Sequence, residues 1–449
     1  MHKDLHGLSL STDSTQAADA YDRATMAYLK YRTDAGRHLS AALKADPDFA
    51  LGHVMRGYFN LLAYNQANLQ GAAESLAEAR KHASRTTTRE AAHIEALAKW
   101  IDGDLDRALD IWEGIFAEHP YDVLAFRLHH FNAFWLGRPD TMQAEVEKVF
   151  PHWSNELPGW GMLLSCRCFA HEEAGNYTLA EGAGRMAIEV DPGDLWGAHA
   201  IAHVLEMQGR RSEGIDWLKR LEPNWEGANN IKHHLFWHRA MFHVERRDFD
   251  EVLALYDKGF RDLKSPLTLA LPDMYIDVQN AASMLFRLER QGVDVGDRWV
   301  ELADKAEARI GDCLSAFTLP HWMMALAATD RSEAAQRMIE AMRTFGRGNG
   351  TVPRLVGRIA LPICEAVLAH RQGKHADALK HLRPIVSDMY LLGGSHAQQD
   401  VLEQLFLDSA LKAESADDVR LMLERVSGRH PVPPSRRVGY AAAAARYAH

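Results

Sequence analysis

The chain has no apolar run long enough to span a bilayer, which excludes a membrane-crossing helix and leaves no membrane partner to expect. It also lacks a basic excess: 51 Lys and Arg stand against 61 Asp and Glu, a formal net charge of -10. Nucleic acid is therefore not expected as a partner, because phosphate binding needs a basic face. Cysteine is scarce, with four in 449 residues. Cys166 and Cys168 are two apart on a predicted helix and point to different sides, so they cannot share a metal in the Cys-x-x-Cys manner. Together with Cys313 and Cys364 they read as buried, reduced thiols. The opening Met-His-Lys-Asp-Leu-His-Gly has no apolar signal core, so a cytoplasmic location is expected. Alternating β-branched runs are nearly absent, as are a dinucleotide fingerprint, a Gly-x-Ser-x-Gly elbow and a Gly-Lys-Ser/Thr phosphate loop.

What remains is helical from end to end, with apolar residues recurring at three and four. A chain this long exceeds one compact core, but a repeat array escapes that limit because each unit packs only on its neighbours. The clearest repeat is Gly175-Asn176-Tyr177, Ala180, Ala187, Asp191-Pro192, the pattern of the second helix of a tetratricopeptide unit. It reappears at Gly103-Asp104-Leu105 with Ala108 and Pro120, and less cleanly at Gly137, Arg247-Asp248-Phe249 and Gly373-Lys374-His375. The fold class expected is all-α, with tetratricopeptide-like helical hairpins forming a right-handed superhelix (α-solenoid). Lys264–Pro272 reads as a connection between two blocks, and Phe345–Pro353 as a flexible loop. The expected organisation is 1–263 for N-terminal repeats, 264–431 for C-terminal repeats and 432–449 for a capping helix or tail.

Two repeat-opening helices carry the chemistry. The first reads Trp196-Gly-Ala-His199-Ala-Ile-Ala-His203-Val-Leu-Glu206, and the second His233-His234-Leu-Phe-Trp237-His238. Spacings of three and four align His199, His203 and Glu206 on one stripe, and His234 and His238 on another. In the tetratricopeptide frame these stripes face the concave groove, with Ala202 at the close-packing position and His238 on the edge of its stripe. The same frame turns Glu173, His93 and Trp100 inward. Two readings follow. Paired imidazoles four apart are a zinc-gripping geometry, which makes His199, His203, His234 and His238 the candidate ligands of a divalent transition metal. Ala200 stands where the general base of His-Glu-x-x-His would be, so Glu206 is the candidate third ligand or base. Without a metal, His199, His203, Glu206, His234 and His238 form an acid–base set for a small polar substrate, walled by Trp196 and Trp237. Against both stands the plain alternative of groove histidines hydrogen-bonded to one another and to neighbouring glutamates. Ser395 and Gln398 form a capping box that opens a helix and would expose backbone amides to an anion.

The chain resembles the tetratricopeptide repeat protein 38 family (StaR-like). The residues that carry the resemblance are His199-x-x-Ala202-His203-x-x-Glu206-Met207, His234-x-x-Trp237-His238, Gly292-Val293-x-Val295-Gly296-x-Arg298-Trp299 and Gly393-Gly394-Ser395-x-Ala397-Gln398-x-Asp400-Val401. Leu10-Ser11-Thr12 and Arg89-Glu90 with His93 match more weakly, and His53, His130, Asp277 and His321 also fit the family pattern. Leu205 departs from it where a relative carries a further histidine. The resemblance implies a helical-repeat superhelix and implies no reaction. The functional expectation is a groove pocket for a small polar molecule, in which His93, Glu173, Trp196, Trp237, Asp277, Ser395 and Gln398 join the histidine set. The alternative is an adaptor that grips a peptide or protein partner.

Overall fold

A computed structural model of the chain describes residues 2–447. Apart from the short antiparallel pair His2–Lys3 with Ser9–Leu10, its named elements are helices. The fold is all-α, made of tetratricopeptide-like helical repeats. Among the described residues no helix is long and apolar enough to cross a membrane. The contacts divide the chain into two compact units. The first comprises residues 1–201, 223–231 and 349–352, and the second 202–222, 232–348 and 353–449. The expected boundary at 263/264 falls inside the second unit.

In the first unit successive helices pack as hairpins. Thr15–Leu29 lies on Ala35–Ala45, Ala50–Leu62 on Leu69–Lys81, Thr88–Ile101 on Leu105–Glu118, Val123–Trp135 on Pro139–Val149, and Trp160–Glu173 on Tyr177–Val190. Small residues set how closely the helices approach. A Cβ on Gly184 would lie 2.6 Å from the Cys168 Sγ, so only glycine admits that contact. All four cysteines are buried free thiols, as their distribution predicts.

In the second unit Tyr275–Arg290 and His396–Lys412 pack on each other. Both are buried nearly all round, yet both carry a dense polar content: Asp277, Gln279, Asn280, Ser283 and Arg287 on one, and Gln398, Gln399, Asp400, Glu403 and Gln404 on the other. Buried polar groups need partners, and these two helices supply them to each other and to the histidine helix Ile231–Arg246. Two expected irregular segments contain short helical pieces. Ser265 caps the short helix Pro266–Ala270 inside the expected connection. The expected loop Phe345–Pro353 keeps turns and bends over 346–350 and ends in the start of Thr351–Leu355, and at Gly346 two backbones meet: a Cβ there would lie 2.7 Å from the Gly357 Cα. At the C-terminus Tyr440 is buried and the helix Ala441–Tyr447 follows, while residues 448–449 of the expected cap lie outside the described residues.

The turns within hairpins share one backbone requirement. Gly175 joins its two helices at a φ of 81°, in the left-handed region that glycine adopts without a Cβ clash. Arg247, between Ile231–Arg246 and Phe249–Leu255, takes the same region at 61°. Its side chain is exposed. Arg247→Gly should therefore raise unfolding stability by roughly 0.5–1 kcal/mol, the left-handed penalty less the added chain entropy. Chemical denaturation of the two chains checks this, and a less stable glycine variant would contradict it.

Candidate functional site

The second histidine helix, Ile231–Arg246, presents His234, Trp237 and His238 on one face by its period. The first histidine helix, Leu195–Met207, is continuous, and its last turns bring His203 and Glu206 into the second unit. His203, His234 and His238 each offer a ring nitrogen, and these atoms lie within 4.8 Å of one another. The His203 and His238 ring centres are 4.3 Å apart, and those of His234 and His238 are 4.6 Å apart. His238, placed on the edge of its stripe by the sequence frame, packs against both other rings. Trp237 stacks on His234 at 5.1 Å with an interplanar angle of 10°, closing one side. None of the three imidazoles is more than 2% exposed, so the set is enclosed rather than spread along an open groove.

The outer nitrogens of two rings are already engaged. His234 Nδ1 donates to Asn280 Oδ1 at 2.8 Å, and His238 Nδ1 lies 3.2 Å from Glu206 Oε2. With Glu206 ionised, both Nδ1 atoms are donors, and each neutral ring then carries its lone pair on Nε2. Burial holds His238 down at about 3. Burial, reinforced by the neighbouring imidazoles, pushes His203 and His234 well below the ordinary histidine value. Glu206 moves the other way. Burial raises it to about 7, and Arg287 and Arg437 only partly offset that rise while Asp400 adds to it.

Glu206 links the imidazoles to a cavity of about 40 Å³, room for two or three waters or a comparably small polar group. Its charged walls include Glu206, Arg211, Glu245, Arg287, Asp400 and Arg437, with His396 and His430 beside them. Asp400 organises these walls. It accepts from Arg437 at 2.5 Å, Tyr440 at 2.6 Å, Gln404 at 2.7 Å and Arg287 at 3.3 Å. Burial alone would raise its carboxyl, but Arg437, Arg287 and the two neutral donors hold it at about 2. The C-terminal segment crosses the same region: Val438 N–H donates to Glu245 at 3.2 Å, and Arg211 donates to the Arg436 carbonyl at 2.6 Å. Burial and the nearby arginines press His396 down to about 3.

The remaining residues singled out by the sequence are divided between the two units. His199 belongs to the first unit, where its ring stands 4.5 Å from Trp196 and 5.3 Å from Phe169, and it precedes His203 by one turn on the same face of the helix. Trp196 is also in the first unit and stacks on Tyr31. His93 is buried in a first-unit network, 3.1 Å from Asp122 Oδ2 and 3.2 Å from the Tyr58 hydroxyl. Glu173 ends the helix Trp160–Glu173, half-buried. Asp277 pairs with His233 Nδ1 at 3.1 Å. Ser395 and Gln398 form the capping box that their spacing predicts, and the Gln398 amide also donates to Gln279 at 3.3 Å. Asn280, Arg287 and Arg437 are the site residues that sequence reasoning passed over. The only signal for the region was Asp400 in the Gly393–Val401 motif, and a single carboxylate does not name its arginines.

No family model matches the chain. Among solved structures it is similar to the human IFIT1 dimer with m7Gppp-AAAA, at 14% identity over 99% of this chain and 97% of that one, with a TM-score of 0.41. It is also similar to Naa15/Naa10 bound to HypK-THB, at 11% identity over 96% and 66% with a TM-score of 0.25. A third likeness is the P58(IPK) tetratricopeptide domain, at 13% identity over 79% and 89% with a TM-score of 0.22. Scores this low carry nothing about function.

The opposed shifts fix a pH signature. The histidines bind protons more readily unfolded than folded, so each contributes stability above about pH 6.5 that is lost as the pH falls, by about 1.4 kcal/mol per pH unit. Glu206 holds its proton more tightly when folded, so its contribution declines as the pH rises from about 4.5 to 7. In chelator-treated protein, denaturation between pH 6 and 5 should show net proton uptake. His238→Gln should flatten that slope by about one proton, and Glu206→Gln should steepen it. A pH-independent slope in all three chains would contradict the assignment.

Proposed function

We propose that the second unit binds a divalent transition metal on His203, His234 and His238, and holds a small polar molecule beside it in the cavity that Glu206 faces. One observation carries the reading: the three imidazoles cluster with the Nδ1 atoms of His234 and His238 already held, by Asn280 and Glu206. Metal-bound histidines characteristically donate their second nitrogen to a carboxylate or amide oxygen, which fixes the ring and makes the ligand nitrogen more basic. Three neutral nitrogens, with Glu206 joining them to a polar cavity, suit a metal that keeps one position for water or substrate. Such an ion would also relieve the crowding of three buried rings that cannot take up protons. It would polarise a bound ligand, and Glu206 would accept a proton there. Without a metal, the Glu206 and His238 pair supports the acid–base version of the same site.

Burial favours a small ligand over an adaptor's peptide. His203, His234, Trp237 and His238 are each at most 2% exposed, whereas a peptide groove keeps its recognising side chains at the surface. The membership proposed is the tetratricopeptide repeat protein 38 family, on the motifs that surround these same residues.

Titration of the full chain with Co²⁺, after chelation and removal of the chelator, should give one equivalent of a bound-ion absorption spectrum. Alanine at His203, His234 or His238 should abolish it while circular dichroism stays helical. Glu206→Gln and Asn280→Ala should weaken it about 10–100-fold. A wild-type chain that takes up neither Co²⁺ nor Zn²⁺, or alanine variants that bind as tightly as wild type, would overturn the metal reading.

A further inference from the structure

The first unit buries a cation with no carboxylate to meet it. Arg127, on the helix Val123–Trp135, is 3% exposed. The other arginines buried to a similar extent are all ion-paired: Arg89 to Asp122, Arg261 to Glu301, and Arg287 and Arg437 to Asp400. Arg127 has no such partner among the described residues. Its Nη2 donates to the Tyr31 hydroxyl, and its Nη1 is buried with no hydrogen-bond partner at all.

Aromatic faces surround the guanidinium instead. Its central carbon lies 4.7 Å from the Trp196 ring, 5.6 Å from Tyr31 and 5.9 Å from Phe131, and Tyr31 itself stacks on Trp196 at 5.8 Å. The indole Nε1–H of Trp196 is a second buried donor without a partner. Cation–π contacts offset part of the cost of removing a charge from water, but they satisfy no N–H group. Two unmet donors, one on a positive group and one on the ring beneath it, would both be met by an acceptor that carries negative charge.

We infer that Arg127, Trp196 and Tyr31 form an oxyanion site in the first unit, built for the carboxylate or phosphate of a small organic acid. Arg127 is the charge anchor through its Nη1, Trp196 contributes the indole donor, and Tyr31 holds the guanidinium through Nη2. The aromatic walls favour an oxyanion borne on a planar or apolar body over a bare ion. This site does not depend on the histidine cluster, so either assignment can fail without the other.

Titration calorimetry on the full chain tests it with two probes, inorganic phosphate and benzoate, with chloride at matched ionic strength as reference. The expected result is saturable binding of at least one probe. Arg127→Met should weaken that binding about tenfold or more, because a charge-assisted fork is lost, and Trp196→Phe should weaken it less. Arg127→Met should itself fold, since an apolar chain of similar length suits a buried place with no counter-charge. If it does not fold, Arg127→Lys makes the same comparison, because it keeps the charge but loses the planar fork. The site is overturned if neither probe binds the wild-type chain at millimolar concentration. It is equally overturned if the Arg127 variant that folds binds both probes as the wild type does.

Discussion

Asp400 is the group on which the second unit's interior depends. A carboxylate buried to 5% exposure survives only if its oxygens are met, and it meets Arg287, Arg437, Gln404 and Tyr440 at once. Those donors come from separate pieces of chain: the helix Tyr275–Arg290, the segment before the last helix, and Asp400's own helix. Satisfying one charge thereby fixes the position of the C-terminal segment and of two arginines that wall the cavity. A purely apolar core would pack as tightly but would not specify which segment crosses the cavity.

The histidine cluster exists because of that polar interior. Three imidazoles can be buried together only if none is charged, and the same low-dielectric surroundings that keep them neutral raise Glu206 toward neutrality. A buried set of neutral nitrogen donors beside a carboxylate near its midpoint is equipped for metal binding or for proton transfer. The same physics governs the first unit in a simpler form, where Arg89 and His93 meet Asp122 while Arg127 meets only aromatic rings and a phenol. In both places the informative feature is how a buried charge is compensated, not which repeat carries it.

Much of this was legible before any coordinates. Helical periodicity, small residues at close-packing positions and the Gly175-type turns specify hairpins directly, since each is a local backbone or packing requirement. The His234 and His238 spacing specifies a shared face, and Ser395 with Gln398 specifies a cap. Less legible were the places where a local rule was overridden. Phe345–Pro353 reads as a loop and 346–350 form one, yet a short helix opens at Thr351 within it, which the glycines hide. His238 reads as an edge residue, yet its ring packs against both His203 and His234.

The sequence by itself determined the all-α repeat class, the helices that carry the histidines and the face each ring shares with its helical neighbours. These depend on contacts within a few residues, which the order of side chains fully encodes. Only the tertiary structure decided that Asn280 and Glu206 hold the Nδ1 atoms of His234 and His238, that Arg287 and Arg437 wall the cavity, that His93 and Asp277 serve other networks, and that Arg127 has no carboxylate. Those outcomes depend on which distant segments meet in a low-dielectric interior, and a residue's type does not reveal the charge it will be buried against.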